Sequence, residues 1–252
     1  MSETLNLVRV PLRPNKLFAF ARQRGLPQRD LDDGYLAHCV MRELWKGDAP
    51  VPFVLRHAGG AVDAWGYSRA DAPALVASAL ALGDPPLVAA IAKLDALASK
   101  PVPRLEAGRR IGFLLRACPV VRLAGGRNGH RAGAEIDAFL ARCFTLGPQA
   151  VVSREEVYCE WLTTRLRRQE ITGVVPHAVR IAGISRECLV RRTHAEKRTA
   201  HRLERPDIRF EGELTVVDGQ RFLDYLGHGV GRHRAFGFGA LILVPPGTTY
   251  AA

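Results

Sequence analysis

The sequence has few lysines and few acidic residues for a chain so rich in arginine. Only five of its 36 basic residues are lysines, and 25 acidic residues oppose them, which leaves a formal net charge of +11. An excess of this size favours a polyanionic partner such as nucleic acid or an anionic membrane surface. The shortage of lysine has two open explanations. A GC-rich genome favours arginine codons, and guanidinium groups suit bidentate contacts with phosphate.

The sequence also lacks the cysteine and histidine spacings of known metal sites. The cysteine count is odd, no CxxC pair occurs, and the eight histidines form no HExxH or similar pattern. These absences argue against a disulfide framework and a zinc site, and they favour a reducing compartment. We therefore expect neither a metal nor a cofactor.

Long apolar runs are absent as well. No run approaches the roughly 20 residues that a membrane-spanning helix requires. The opening residues MSETLNLVRVPL lack the pattern of a signal peptide. We therefore expect a soluble, cytoplasmic protein without a membrane partner.

Alternating and helical patterns predict an α+β fold of two ferredoxin-like (RRM-like) modules in tandem, at residues 1–124 and 125–252. The Ala/Leu-rich segment near 70–100 predicts a helical insertion in the first module, and Gly183 predicts a turn between two strands. The predicted strands are 5–12, 52–57, 61–66, one or two within 109–123, 173–181, 187–194, 208–217 and 240–246. The predicted helices are 30–47, 134–146, 153–168 and a short one that starts at 218.

Five glycines and at least three cationic side chains stand together in GHGVGRHRAFGFGALIL, residues 227–243. Clustered glycines let a backbone turn tightly or approach a ligand closely. The stretch does not match a nucleotide-binding loop, because GxxxxGK[ST] is absent and the predicted helix precedes the loop instead of following it. We predict a loop that contacts a negatively charged ligand through Gly229, Gly231, Arg232, His233, Arg234, Gly237 and Gly239.

Residues 161–205 are strongly basic. They hold eleven Lys and Arg residues against four glutamates, a net charge of +7. A solvated helix face with a charged loop is one interpretation of such a run. Because the acids are too few to pair the bases, a phosphate-binding surface is the interpretation we favour. The candidate ligands of phosphate are Arg165, Arg167, Arg168, Arg191, Arg192, Lys197 and Arg198.

The predicted helix at 30–47 carries a candidate acid–base set. Tyr35 and His38 are three residues apart and so share a face, and Arg42 continues that stripe. Histidine exchanges protons near neutral pH, and arginine stabilises developing negative charge, as phosphodiester cleavage requires. A purely structural Tyr/His pair remains the alternative.

Taken in order along the chain, these motifs resemble the CRISPR repeat-processing endoribonucleases, and most closely the CasE-like members of subtype I-E. The resemblance is carried by YLAH at 35–38, LLRACPVVR at 114–122, the helix that ends in EWLTTRLRR, and the strand, short helix, glycine loop and strand of 210–243. The helical segment at 70–100 departs from the subtype I-E pattern and leaves open the divergent type IV counterpart. In that case Arg24 or Arg42 would carry more of the catalysis.

The resemblance implies a metal-independent endoribonuclease that cleaves precursor CRISPR RNA within the repeat hairpin. The 2′-hydroxyl would attack the adjacent phosphate and leave a 2′,3′-cyclic phosphate and a 5′-hydroxyl. Tyr35 and His38 would be catalytic, and the glycine loop and the basic segment would hold the RNA together with Arg24 and Arg42. The mature guide RNA would stay bound among the other subunits of a CRISPR effector complex. The alternative is a non-cleaving subunit of a CRISPR ribonucleoprotein that binds the RNA hairpin.

Overall fold

The computed structural model describes residues 4–25, 32–58, 60–192 and 200–250, with only the backbone of 190–192 and 200–202. The helices are α1 (Pro14–Gln23), α2 (Asp33–Trp45), α3 (Ala72–Leu82), α4 (Pro85–Ala90), α5 (Ala138–Leu146), α6 (Arg154–Leu166), α7 (Gln169–Thr172) and α8 (Gly219–His228). The strands are β1 (Asn6–Leu12), β2 (Phe53–Ala58), β3 (Ala61–Ser68), β4 (Ala98–Pro101), β5 (Arg110–Ala117), β6 (Val120–Arg122), β7 (Glu135–Asp137), β8 (Val174–Arg192), β9 (Ala200–Val216) and β10 (Leu241–Val244).

Two four-stranded sheets repeat the same topology. Their strand orders are β2-β3-β1-β4 and β10-β5-β9-β8. In each sheet the module's first and third strands lie at the centre and its second and fourth strands at the edges, with helices in the crossover connections. This is the ferredoxin-like arrangement. The predicted fold class, two ferredoxin-like modules in tandem, is confirmed.

The first module is held by one apolar cluster. β1 alternates, so that Val8 and Val10 face inwards, where they join a buried cluster with Leu36, Val40 and Leu44 of α2. The three α2 residues recur at every fourth position and form one apolar stripe. Burial of each such side chain contributes about 1.5–3 kcal/mol. The stripe therefore fixes which face of α2 stays directed away from the sheet.

The chain divides into two compact units that interleave in sequence. Unit 1 comprises residues 1–104, 188–204 and 226–240, and unit 2 comprises 105–187, 205–225 and 241–252. β5, which the sequence-based division at 124 assigned to the N-terminal domain, pairs with β9 and β10. The glycine loop belongs to unit 1 together with α2.

Several local elements differ from the prediction. β8 runs continuously through Gly183, where a turn was predicted. A Cβ at Gly183 would lie 3.1 Å from Nε of Arg209, so the glycine makes room for a crossing side chain instead of a turn. α1 was not predicted, and the predicted helix at 134–146 begins as the short strand β7. The helical segment near 70–100 forms α3 and α4, but its end joins the first sheet as β4.

Among the residues that the structure describes, no helix is both long and apolar enough to cross a membrane.

Candidate functional site

Helix α2 is fixed at both ends by side-chain hydrogen bonds. At its start the carboxylate of Asp32 accepts a hydrogen bond from the backbone N–H of Tyr35 at 3.0 Å, which is an N-cap. At its end the guanidinium of Arg42 donates to the carbonyl of Lys46 at 2.7 Å. Tyr35 and His38 are half-buried on this helix, whereas Arg42 is exposed. The predicted catalytic pair therefore lies on a helix with a well-defined position in unit 1.

The glycine loop contacts the first turn of α2 directly. The Tyr35 ring stacks on the ring of Phe236 with a centroid separation of 5.3 Å and an interplanar angle of 22°. Gly34 permits this approach, since a Cβ there would lie 2.5 Å from the carbonyl oxygen of Phe236. The loop and the Tyr/His helix thus form one structural site, although nearly two hundred residues separate them in sequence.

His38 sits in an environment that disfavours its charged form. Its Nδ1 is buried, and it has no hydrogen-bond partner in the part of the chain that the structure describes. Burial, together with the positive charge of Arg42, lowers the pKa of His38 to about 4. The imidazole is therefore neutral at pH 7 and can accept a proton. An anion bound beside Arg42 would offset the positive charge of that guanidinium, the smaller of the two causes, and so raise the pKa of His38.

Two further groups surround the pair. Cys39 is hydrogen-bonded to Tyr35, and burial raises the pKa of its thiol, so it is a neutral neighbour and not a thiolate. Arg24 forms an ion pair with Glu43 at 2.6 Å, and its guanidinium lies 5.5 Å from the centre of the Phe20 ring. Of the two alternative catalytic arginines, Arg24 is thus engaged by a carboxylate, whereas Arg42 donates only to a backbone carbonyl among the contacts described above.

The glycine loop closes on itself through its backbone. The N–H of Val230 donates to the carbonyl of Gly239 at 2.8 Å. Gly239 has a φ of +86°, and a Cβ there would lie 2.6 Å from the Val230 carbonyl oxygen, so only glycine fits. The four predicted glycines of the loop all adopt positive φ: Gly229, Gly231, Gly237 and Gly239. Their clustering therefore reflects a tightly folded backbone.

The cationic side chains of the loop have different surroundings. Arg232 and Arg234 are exposed, and His233 is half-buried with its ring 6.0 Å from that of Phe236. The guanidinium of Arg234 donates to the carbonyl of His228, which braces the start of the loop. Arg232 thus presents an exposed cation on the same loop whose Phe236 supports Tyr35.

The basic segment is spread over both units. In unit 2, the Arg165 guanidinium lies 3.9 Å over the Trp161 ring and donates to the Trp161 carbonyl, so it is partly committed to packing. Arg167 is exposed, and Arg168 is exposed and lies 3.6 Å from Glu170. Arg191 and Arg192 end β8 with no side-chain description, and Lys197 and Arg198 lie outside the described residues.

Sequence reasoning missed the two residues that join the helix to the loop. Phe236 and Gly34 contact each other and hold Tyr35, yet neither is ionisable. A glycine directly before the Y-x-x-H pattern and a phenylalanine inside the glycine loop were the available signals. Within the described ranges, no group of three His, Cys, Asp or Glu side chains is placed to hold a metal ion.

Comparisons with known proteins identify the family. A family model described as CRISPR associated protein matches residues 5–245. The comparison with curated protein sequences found no match. The chain is similar to a structure of CRISPR endoribonuclease Cse3 bound to 19 nt RNA, at 24% identity and a TM-score of 0.61, covering 96% of this chain and 100% of that one. It is also similar to Thermus thermophilus Cse3 bound to an RNA representing a pre-cleavage complex, at 22% identity and a TM-score of 0.54, with 96% and 100% covered.

The two structural likenesses show the fold, and the family model extends over nearly the whole sequence. The resemblance inferred from the motifs is confirmed by this match. The chain belongs to the CRISPR-associated protein family.

Proposed function

We propose that this chain is an endoribonuclease that cleaves precursor CRISPR RNA within the repeat hairpin. Family membership and the likeness to Cse3 endoribonuclease structures support this reaction class. One observation carries the proposal to particular residues. The stack of Tyr35 on Phe236 joins the helix that bears a neutral, half-buried His38 to a loop that bears exposed arginines.

The chemistry that suits this arrangement is internal transesterification. His38 accepts the proton of the ribose 2′-hydroxyl, the 2′-oxygen forms a bond to the adjacent phosphorus, and the P–O5′ bond breaks. The leaving 5′-oxygen takes a proton from solvent and His38 returns its proton to solvent, so the products are a 2′,3′-cyclic phosphate and a 5′-hydroxyl. The Tyr35 hydroxyl positions the reacting groups. In this proposal Arg42 and Arg232 would stabilise the negative charge that develops on the phosphate oxygens.

The low pKa of His38 fits a base that is activated by its substrate. At a pKa of about 4 the imidazole is a weak base. The phosphate of bound RNA would offset the charge of Arg42 and raise the pKa towards neutrality. General acid–base catalysis by a positioned side chain contributes about 10²–10⁴-fold to a rate. We therefore expect His38 to be a stronger base in the RNA complex than in the RNA-free chain.

The remaining parts of the proposal concern partners. The basic residues of the glycine loop and of segment 161–205 would hold the RNA hairpin through its phosphates, in line with how A-form RNA is recognised. We propose that the mature guide RNA stays bound after cleavage, that other subunits of a CRISPR effector complex join it, and that the protein acts in the cytoplasm without a metal ion.

A cleavage assay tests the reaction. A labelled repeat hairpin is incubated with the wild type, His38→Ala or Tyr35→Phe in EDTA under single-turnover conditions. We expect wild-type cleavage to persist, His38→Ala to be slower by about 10²–10⁴-fold, and RNA affinity to be preserved. His57→Ala, at an exposed histidine of unit 1, is the matched control and should cleave like the wild type.

The outcomes of this assay separate the alternatives. If the wild type cleaves no cognate repeat but binds it, the chain is a non-cleaving RNA-binding subunit. If His38→Ala cleaves as fast as the wild type, the nuclease stands but His38 is not its base. If the wild type cleaves the repeat without EDTA but not in its presence, the reaction depends on a metal ion.

A further inference from the structure

A short basic hairpin in unit 2 is not used by the proposed reaction. It comprises β6, β7 and the loop between them, residues 120–137. At its tip, Arg127 and His130 exchange two backbone hydrogen bonds of 2.8 and 2.9 Å. Asn128 and Gly129 between them have φ values of +47° and +79°, as a tight two-residue hairpin turn requires. The ribbon therefore presents its side chains from an ordered backbone.

Three arginines of this hairpin are exposed and have no acidic residue paired with them among the described residues. Arg122, Arg127 and Arg131 are exposed, and the sequence contains no acidic residue between positions 107 and 134. Glu135 lies opposite Arg122 in the β6–β7 register, but it forms its ion pair with Arg205 instead, at 3.7 Å. None of the three arginines forms an ion pair with any residue that the structure describes.

Elsewhere in unit 2, arginines are more often ion-paired. Most of them have a carboxylate within ion-pair distance: Arg110–Glu213, Arg116–Asp207, Arg142–Glu160, Arg154–Asp137, Arg168–Glu170, Arg180–Glu211, Arg205–Glu135 and Arg221–Asp218. Like charges that cluster without partners repel each other and weaken the folded state. A unit that pairs most of its other arginines but leaves the three of this hairpin without ion pairs is suited to bind an external anion there.

Two basic residues of the hairpin, Arg127 and His130, contact the neighbouring helix, whereas Arg122 and Arg131 do not. The Arg127 guanidinium donates to the carbonyl of Phe144 at the end of α5, and the His130 ring lies 6.0 Å from the Phe144 ring. These contacts brace the tip against the helix. Arg122 and Arg131 make no side-chain contact of this kind within the described residues, so their guanidinium groups are available for bidentate contacts with phosphate.

We propose that this basic hairpin is a second RNA-binding surface, at which Arg122 and Arg131 bind phosphates of the RNA backbone. The inference rests on the proposed function to the extent that the polyanion is taken to be RNA. It differs from the glycine-loop site, which belongs to unit 1 and carries its own arginines. Its role is to add affinity and salt dependence, and it takes no part in the chemical step.

The test compares two double variants with the same change in net charge. R122Q/R131Q removes the proposed contacts, whereas R110Q/R221Q removes two exposed arginines of unit 2 that are ion-paired. Binding is measured over a range of salt with a repeat hairpin that has a 2′-deoxy nucleotide at the cleavage position, with and without a single-stranded extension. The plot of log K against log salt has a negative slope. We expect R122Q/R131Q to reduce the magnitude of this slope by about 1.4–1.8, which corresponds to the loss of two phosphate contacts. R110Q/R221Q should lower it less.

Each outcome decides the proposal. A smaller slope for both RNAs places the contact on the hairpin stem, and a smaller slope only for the extended RNA places it on the flanking strand; both support the surface. A slope equal to that of the wild type, or an equal loss in the control, overturns it. The proposal is also overturned if the wild type binds polyglutamate, R122Q/R131Q weakens that binding, and RNA binding is the same for both proteins. That result would indicate an acidic protein partner. Because the RNA cannot be cleaved, failure of the proposed nuclease activity would leave this result intact.

Discussion

At the scale of single residues, His38 combines a favourable position with an unfavourable environment. It shares a helix face with Tyr35 and lies near Arg42, yet its Nδ1 is buried without a hydrogen bond from the described residues. An unsatisfied buried polar atom costs stability and is expected where function requires it. The folded chain therefore keeps a neutral imidazole at a position where it costs stability, which suggests that function retains it.

This environment of His38 predicts that the free energy of unfolding decreases as the pH decreases. The pKa of His38 is about 4 in the folded chain and 6.5 when unperturbed. Between these values the unfolded state binds more protons, so the stabilisation present above pH 6.5 is lost as the pH falls towards 4. Because the side chain is partly exposed, we expect His38 to account for a loss on the order of 1 kcal/mol between pH 7 and pH 5.

Urea unfolding at the two pH values measures this loss. His38→Gln should lose less stability than the wild type on acidification, because it carries no titrating group. His57→Gln, at an exposed histidine, should lose as much as the wild type. Identical losses in His38→Gln and the wild type would contradict the assigned pKa.

Helical spacing predicted that Tyr35 and His38 share a face of α2, but only the resemblance to the repeat-processing endoribonucleases favoured a catalytic role for them. It could not select Phe236, whose contact with Tyr35 depends on how the last loop of unit 1 packs on α2. Nor could it show that Arg165 lies over Trp161, because a charge count does not distinguish a stacked guanidinium from an exposed one. Local patterns identify chemistry, and tertiary packing decides which groups are accessible.

At the scale of elements, the contact between α2 and the glycine loop depends on the absence of a side chain at Gly34. A Cβ there would lie 2.5 Å from the Phe236 carbonyl oxygen and 2.8 Å from the capping carboxylate of Asp32. Both atoms are fixed, one by backbone and one by its hydrogen bond to Tyr35. An added methyl group must therefore displace either the loop or the cap.

We predict that Gly34→Ala destabilises the chain by about 1–3 kcal/mol and slows cleavage, because Tyr35 moves with the first turn of α2. The matched control is Gly47→Ala, since a Cβ at Gly47 meets nothing within 4 Å. We expect that variant to stay within about 0.5 kcal/mol of the wild type. Unfolding free energies and single-turnover rates provide the two readouts, and wild-type behaviour of Gly34→Ala in both would refute the coupling.

The elements that the sequence predicted are those with strong internal signals. α2 and α6 have side-chain N-caps and buried faces, and β1 alternates between buried and half-buried residues from Asn6 to Val10. β4 was missed because its hydrogen bonds come from β1, which is distant in sequence, and β7 was missed because it has only 3 residues before α5 begins. α1 was missed because Pro14 reads as a breaker, although proline is well suited to the first position of a helix.

At the scale of the whole molecule, the net charge of +11 acts on folding and on binding with opposite signs. In the RNA-free protein, mutual repulsion of the unpaired cations weakens the folded state, and salt screens that repulsion. In the complex, the same cations hold phosphates, and salt competes with them. The structure favours this view, since the three arginines of the basic hairpin form no ion pair among the described residues while many acidic residues of unit 2 are already paired.

Thermal unfolding over a range of salt should therefore give two curves that converge. We expect the melting temperature of the RNA-free protein to rise by a few degrees with added potassium chloride, because about 1 kcal/mol shifts the midpoint of a chain of this size by roughly 2–4 °C. The melting temperature of the RNA complex starts higher and falls, because the stabilisation by bound ligand, RT ln(1 + [L]/Kd), shrinks as Kd rises. A decrease in the RNA-free melting temperature would mean that the surface ion pairs outweigh repulsion. In that case the arginine excess would not destabilise the RNA-free fold, and RNA binding would have no repulsion to relieve.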